Sequence, residues 1–223
     1  MFMIVVGAGR TGRRVLEMAT NEGHEVVVIE QNQQRAQEAS TDFDCLAIHD
    51  DGASVEALVE ADIEDADAMI ATTDEDATNL LVMMHGREFG VPSLVSSVND
   101  EANSRLYRQL SVNVVESPHG LTGEYLYRAV QRPAIQDFME VGKGAEIFEI
   151  TVDQESEIAG LTLDEAGRKG LFDDETIVVA LERDGDVVIP RGKTRIEAGD
   201  LATVFSLDGA TSETTAPFMA EPW

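Results

Sequence analysis

The chain opens with Met1-Phe2-Met3-Ile4-Val5-Val6, a short apolar run, and passes directly into Gly7-Ala8-Gly9-Arg10-Thr11-Gly12. An apolar strand that ends in this glycine pattern has few continuations open to it, and the one it favours is a tight turn into a helix. Gly7 permits the turn, Gly9 removes a Cβ from the path of an approaching pyrophosphate, and Gly12 lets the helix pack close to the strand. The helix start then offers backbone N–H groups to an anion. The next apolar run, Val26-Val27-Val28-Ile29, closes on Glu30, 23 residues after Gly7, where an acid that accepts from ribose hydroxyls belongs. GxGxxG alone is a weak signal; strand, helix and carboxylate together predict a dinucleotide-binding βαβ unit.

The same alternation continues. Arg13–Asn21 reads as a helix, Asn32–Ser40 as a polar helix, Cys45–Ile48 as a third strand and Val55–Glu60 as a short helix. Ala68–Thr72 reads as a fourth strand, Asp76–Phe89 as a helix, Pro92–Val98 as a fifth strand, Glu101–Leu110 as a helix and Val112–Val115 as a sixth strand. Continuous apolar strands separated by helices call for a doubly wound parallel sheet. Leu121–Glu140 comes next, with apolar residues at helical intervals, bent or interrupted at Pro133. From Ala145 the pattern changes to period two, and Asp184-Gly185 between apolar runs is a strong hairpin signal. The expected organisation is a nucleotide-binding domain over 1–140, a break at 141–144, a small α+β domain over 141–209, and a loose Ser/Thr/Pro-rich tail over 210–223.

Charge excludes one class of partner. Forty-three acids against 16 bases leave −27, spread along the chain rather than gathered in a tail. No basic face exists to neutralise phosphates, so nucleic acid is not expected. Such a surface repels itself unless salt screens it, which points to a salt-rich cytoplasm. No apolar run is long enough to span a bilayer, and the first strand begins at Met1, leaving no room for a leader; a cytoplasmic protein is expected. The single Cys45 reads as a core residue.

A ligand is expected at the carboxyl ends of the strands. Gly7, Gly9, Arg10, Thr11 and Gly12 stand at the first of these ends, Glu30 at the second, Asp50-Asp51 at the third, and Thr72-Thr73-Asp74 at the fourth, with Asn79 in the helix beyond. Arg10 can meet phosphate oxygens in its fork geometry, or face solvent; Asp50-Asp51 can border the adenosine half or form a solvated acidic loop; Asp74 can be a ligand contact or a helix cap. A charged Glu30 accepts from both ribose hydroxyls and repels a 2′-phosphate, favouring NAD or another adenosine nucleotide over NADP. An enzyme would need an acid or base beside the ligand, yet His24, His49, His85 and His119 have no orienting acid at fixed local spacing, and no metal motif is present.

These features together resemble the cytosolic TrkA-type regulatory subunits of Trk/Ktr potassium uptake systems. The glycine loop with Arg10 after its second glycine, Glu30, and Ala66-Asp67-Ala68-Met69-Ile70-Ala71-Thr72-Thr73-Asp74-Glu75 with Asn79 beyond are similar to the family's RCK N-terminal domain over about 1–117. Ile158-Ala159-Gly160-Leu161-Thr162-Leu163 and Ile189–Leu201 resemble its RCK C-terminal domain over about 145–209. The resemblance implies a Rossmann-like domain, a crossover helix and a small α+β domain. It implies NAD(H) or ATP/ADP as ligand, with Gly7, Gly9, Arg10 and Gly12 at the phosphates, Glu30 at the ribose, Asp51 on the adenosine side, and Thr73 and Asp74 nearby. It also implies a homodimer formed partly through the long helix, growing to a tetramer or octamer ring that gates a membrane potassium-translocating subunit without catalysis. Three positions depart from the family pattern: Asp50 replaces a glycine before Asp51, Ser97 stands where the fifth strand often ends in arginine, and His119 replaces a glutamate that holds a divalent cation in some members. No metal site is expected. The competing readings are an NAD-dependent oxidoreductase and a nucleotide or ion sensor for another channel, exchanger or soluble partner.

Overall fold

The computed structural model describes residues 1–115, 117–142 and 144–221. The chain divides into two compact units, Met1–Glu124 and Tyr125–Trp223. The first contains β1 (Phe2–Val6), α1 (Arg10–Asn21), β2 (Glu25–Ile29), α2 (Gln33–Asp42), β3 (Leu46–Ile48) and α3 (Val55–Glu60). It continues with β4 (Ala68–Ala71), α4 (Asp76–Glu88), β5 (Ser93–Ser97), α5 (Ser104–Gln109) and β6 (Asn113–Val115). Its strands are parallel in the order β3-β2-β1-β4-β5-β6, with Val5 opposite Val28 on one side and Ile70 on the other. The order reverses between β1 and β4, which opens a crevice at their carboxyl ends.

Both faces of this sheet are covered. Val5, Leu16, Val26, Val28 and Ala39 form one layer; Ile4, Val6, Val27, Ile29, Leu58, Met69, Met83 and Tyr107 belong to the other. That is why the strands read as unbroken apolar runs. Cys45 packs half-buried beside the first layer, and burial pushes its thiol pKa up, with Asp44 adding to the effect. It behaves as a small core residue, as expected.

α6 (Pro118–Gln131) runs through the boundary between the units. The second unit contains β7 (Ile135–Glu140), β8 (Glu146–Thr151), α7 (Leu163–Arg168), β9 (Thr176–Arg183), β10 (Asp186–Val188), β11 (Leu201–Ser206) and α8 (Ser212–Thr215). Its sheet is antiparallel in the order β10-β9-β11-β8-β7. Asp184 (φ 53°) and Gly185 (φ 86°) both take the left-handed conformation that a two-residue hairpin requires. α7 starts with a reciprocal cap: Thr162 accepts the Glu165 N–H, and Glu165 accepts the Thr162 N–H at 2.8 Å.

Two expectations need correction. The helix expected over 121–140 stops at Gln131, Pro133 ends its run, and Ile135–Glu140 joins the second sheet as β7. Residues 125–140, assigned from sequence to the nucleotide-binding domain, therefore lie in the second unit. The tail expected to be loose from residue 210 is packed: α8 is capped by Thr211, and Phe218 is fully buried in the second core beside Phe172. Lys143 of the expected break and the last two residues of the tail lie outside the described residues.

Candidate nucleotide-binding cleft

At the reversal point lies a cleft of about 360 Å³, lined by residues from the ends of β1, β2, β4, the loop after β3, and the first turns of α2 and α4. The glycine loop on its floor is fixed from both sides. The Gly7 N–H donates to the Ile29 carbonyl at 2.8 Å, and the Thr72 hydroxyl donates to the Gly7 carbonyl at 3.0 Å. Gly7 takes φ 97°, which glycine adopts without penalty. A Cβ on Gly12 would collide with the Gly7 carbonyl, whereas a Cβ on Gly9 would meet nothing, so the room at Gly9 is open toward the cleft. The first intrahelical bond of α1 runs from the Arg13 N–H to the Gly9 carbonyl at 2.9 Å, leaving the preceding N–H groups at the helix's positive end.

Glu30 is buried at the end of β2, at 7% exposure. Its carboxylate accepts the Ala8 N–H at 2.6 Å and the Asn32 N–H at 2.7 Å. A carboxylate has about four lone-pair positions, so two remain for the hydroxyls of a ribose. The acid read from sequence as a ribose contact thus also anchors the glycine loop. On the opposite wall, the Thr73 N–H and hydroxyl both donate to Asn79 Oδ1, at 3.1 and 2.7 Å, and Asn79 Nδ2 returns to the Thr73 carbonyl at 3.0 Å. Asn99 Nδ2 donates to the same carbonyl at 3.1 Å, and Asp76 receives Asn99, Asp100 and Asn103. Burial works to raise the Asp76 pKa, but these donors outweigh it and hold it low.

Of the residues expected from sequence, Gly7, Gly9, Glu30, Asp51, Thr72, Thr73 and Asp74 line the cleft together. Gly12 is buried beneath the loop, and Asn79 is buried behind Thr73 as its support. Arg10, Thr11 and Asp50 are exposed outside the lining; the Asp50 carboxylate accepts the Asp51 N–H at 2.7 Å. Asp74 does not cap α4, whose N-cap position is Glu75. Ser97 is buried and its carbonyl lies 3.4 Å from Asn79 Nδ2. Sequence reasoning missed Gln31, Arg35, Gly52, Glu75 and Thr78, which also line the cleft. Gly52 sits against Val6 where no side chain fits, and the Asp51-Gly52 pair was its one signal. Among the described residues, no histidine lines the cleft.

Residues 3–118 match the TrkA-N domain family, and residues 147–218 match the TrkA-C domain family. The chain belongs to the TrkA family. This TrkA-type chain is 28% identical over 219 residues to a Trk system potassium uptake protein TrkA homolog of Methanothermobacter thermautotrophicus, covering 98% of this chain and 99% of the relative. It is 29% identical over 220 residues to the homolog of Pyrococcus abyssi, covering 96% and 95%. The solved structure of the GsuK channel bound to NAD shares the fold, with a TM-score of 0.67 at 16% identity over 99% of this chain. The TrkA-type chain spans 40% of the length of that channel subunit.

Proposed function

We infer that this chain is a cytoplasmic, nucleotide-binding regulatory subunit that gates a membrane potassium-translocating protein. The observation that carries this reading is the cleft at the strand-order reversal, where the glycine loop, the N-terminus of α1 and Glu30 converge. Gly7, Gly9 and Gly12 with the adjacent N–H groups receive the phosphates, and Arg10 and Thr11 extend from the same helix start. Glu30 receives the ribose diol, Asp51 borders the adenosine side, and Thr73 and Asp74 close the opposite wall, with Asn79 as support. Asp50 and Thr72 act through the backbone they hold. NAD(H) is the leading ligand and ATP or ADP the second; a Trk-type partner places the subunit at the inner face of the membrane.

Calorimetry in high salt tests the ligand. NADH and ATP should bind without turnover, so NADH absorbance should stay constant when candidate oxoacids are added; sustained substrate-dependent oxidation would defeat the regulatory reading. Co-purification in high salt tests the partner. Recovery of a multi-span cation transporter supports the assignment, and recovery of a soluble protein instead replaces it with a sensor acting elsewhere.

A further inference from the structure

Four carboxylates line the cleft, Glu30, Asp51, Asp74 and Glu75, against one cation, Arg35. Arg35 is held at a defined place. Glu30 accepts the Asn32 N–H, and Asn32 Oδ1 in turn accepts the Arg35 N–H at 3.1 Å, capping α2. A continuous run of hydrogen bonds therefore sets the Arg35 backbone relative to the end of β2. Its side chain is exposed, and among the described residues the guanidinium makes no ion pair or hydrogen bond. By contrast, Arg13 is paired with Asp42 at 2.5 Å, and Arg183 with Asp200 at 2.7 Å. What sets Arg35 apart from the other arginines is its place in the cleft lining, where it is the one cation among the described residues.

With phosphates at the glycine loop and ribose at Glu30, as the nucleotide reading has them, the base would continue outward between the turn after β2 and the loop carrying Asp51 and Gly52. Among the described residues no aromatic ring lines the cleft, so a base entering there has none to stack on. The surrounding carboxylates oppose a second phosphate on the ribose. A planar, weakly hydrated guanidinium instead suits the face of a π system. We propose that Arg35 is a base-contacting residue that stacks its guanidinium on the adenine of the bound nucleotide. This rests on the nucleotide reading above.

The test is calorimetry in high salt with NAD, ADP and NADP on the wild type, Arg35→Ala and Arg35→Lys, with thermal unfolding as a control for the exposed substitution. Both variants should unfold like the wild type and lose about threefold to tenfold in affinity for NAD and for ADP. Lysine should not rescue, because it supplies the charge without the plane. Rescue by lysine would make Arg35 a simple charge contact and overturn the proposal, as would unchanged affinity in both variants. Wild type that takes NADP at least as tightly as NAD, with NADP affinity falling and NAD affinity unchanged in Arg35→Ala, would overturn it in favour of a 2′-phosphate contact. Wild type that binds no adenine nucleotide would overturn this proposal and the functional reading together, whereas binding by the wild type with unchanged variants overturns this proposal alone.

Discussion

Single atoms decide the shape of the glycine loop. Gly12→Ala would drive a Cβ into the Gly7 carbonyl and against the Thr72 hydroxyl, both part of the loop's anchoring. The expected cost is about 1–3 kcal/mol, as for overpacking a filled interior, measured by urea unfolding, with nucleotide affinity falling as well. Gly9→Ala meets no neighbour and should unfold like the wild type while weakening phosphate binding. Glu30→Gln is the sharper probe. Both carboxylate oxygens accept backbone N–H groups, so an amide must turn its own N–H toward one of those donors. Calorimetry should show roughly tenfold weaker nucleotide binding, consistent with the loss of one charge-assisted bond; equal affinity would remove Glu30 from the ligand. Much of the cleft was legible because the glycine loop, Glu30, Asp51 and Thr72–Asp74 each follow a strand and need only local pattern. Asn79 was found as a site residue but its direction was not, because that depends on Thr73 and Asn99 meeting across the fold. Arg35 carries no motif, and only the closure of α2 against the end of β2 brings it to the lining.

Elements show where periodicity misleads. Residues 121–140 satisfy helical spacing, but the ladder between β7 and β8 shifts register between Ile135 and Asp137, so the period-two signal of β7 is broken. The last turns of α6 are tied to the second sheet by a buried group. Glu146, at 6% exposure, accepts Arg128 and Arg132, each at 2.7 Å, and the Ala210 N–H at 2.9 Å. Arg128 also lies 4.5 Å from the ring centroid of Phe138. Glu146→Ala would leave both guanidiniums without this acid, at a cost of about 3 kcal/mol by urea unfolding; the guanidiniums keep some solvent, which places the effect at the low end for a broken buried pair. Burial works to raise the Glu146 pKa, but Ala210, Arg132 and Arg128 outweigh it and hold it below the ordinary 4.5; Asp200 is likewise held low by Arg183 and the Glu197 N–H against the effect of burial. These groups stabilise fully above the ordinary carboxylate range, and that stability is lost as pH falls through their lowered folded values. The urea midpoint should therefore decline below about pH 4 in wild type and less steeply in Glu146→Ala. The C-terminal segment misled for a different reason: its Ser and Thr residues read as loop, yet Thr211 and Thr214 cap one another's backbone and deliver Phe218 to the core. Phe218→Ala should cost about 3–5 kcal/mol in the same assay; an unchanged midpoint would return this segment to a loose tail.

At the scale of the whole molecule, charge and apolar surface pull in opposite directions. α6 exposes Leu121, Leu126, Tyr127 and Val130, the last at 82%, which is a large apolar surface on one helix. A symmetric pair of such helices buries it in the simplest way. Each copy also carries −27, so a ring of eight gathers eight times that charge, and repulsion opposes assembly over a distance set by salt. The screening length falls from ~10 Å at 0.1 M to ~3 Å at 1 M salt, which removes most long-range repulsion while leaving apolar contact intact. Light scattering should therefore report a dimer at low salt, growing toward tetramer or octamer as salt rises. Val130→Asp should shift the low-salt species to monomer without changing nucleotide affinity, since Val130 lies outside the cleft lining. A monomer at every salt concentration in the wild type would defeat dimerisation through α6. A wild-type dimer that never grows, even with nucleotide bound, would mean that the membrane partner imposes the ring.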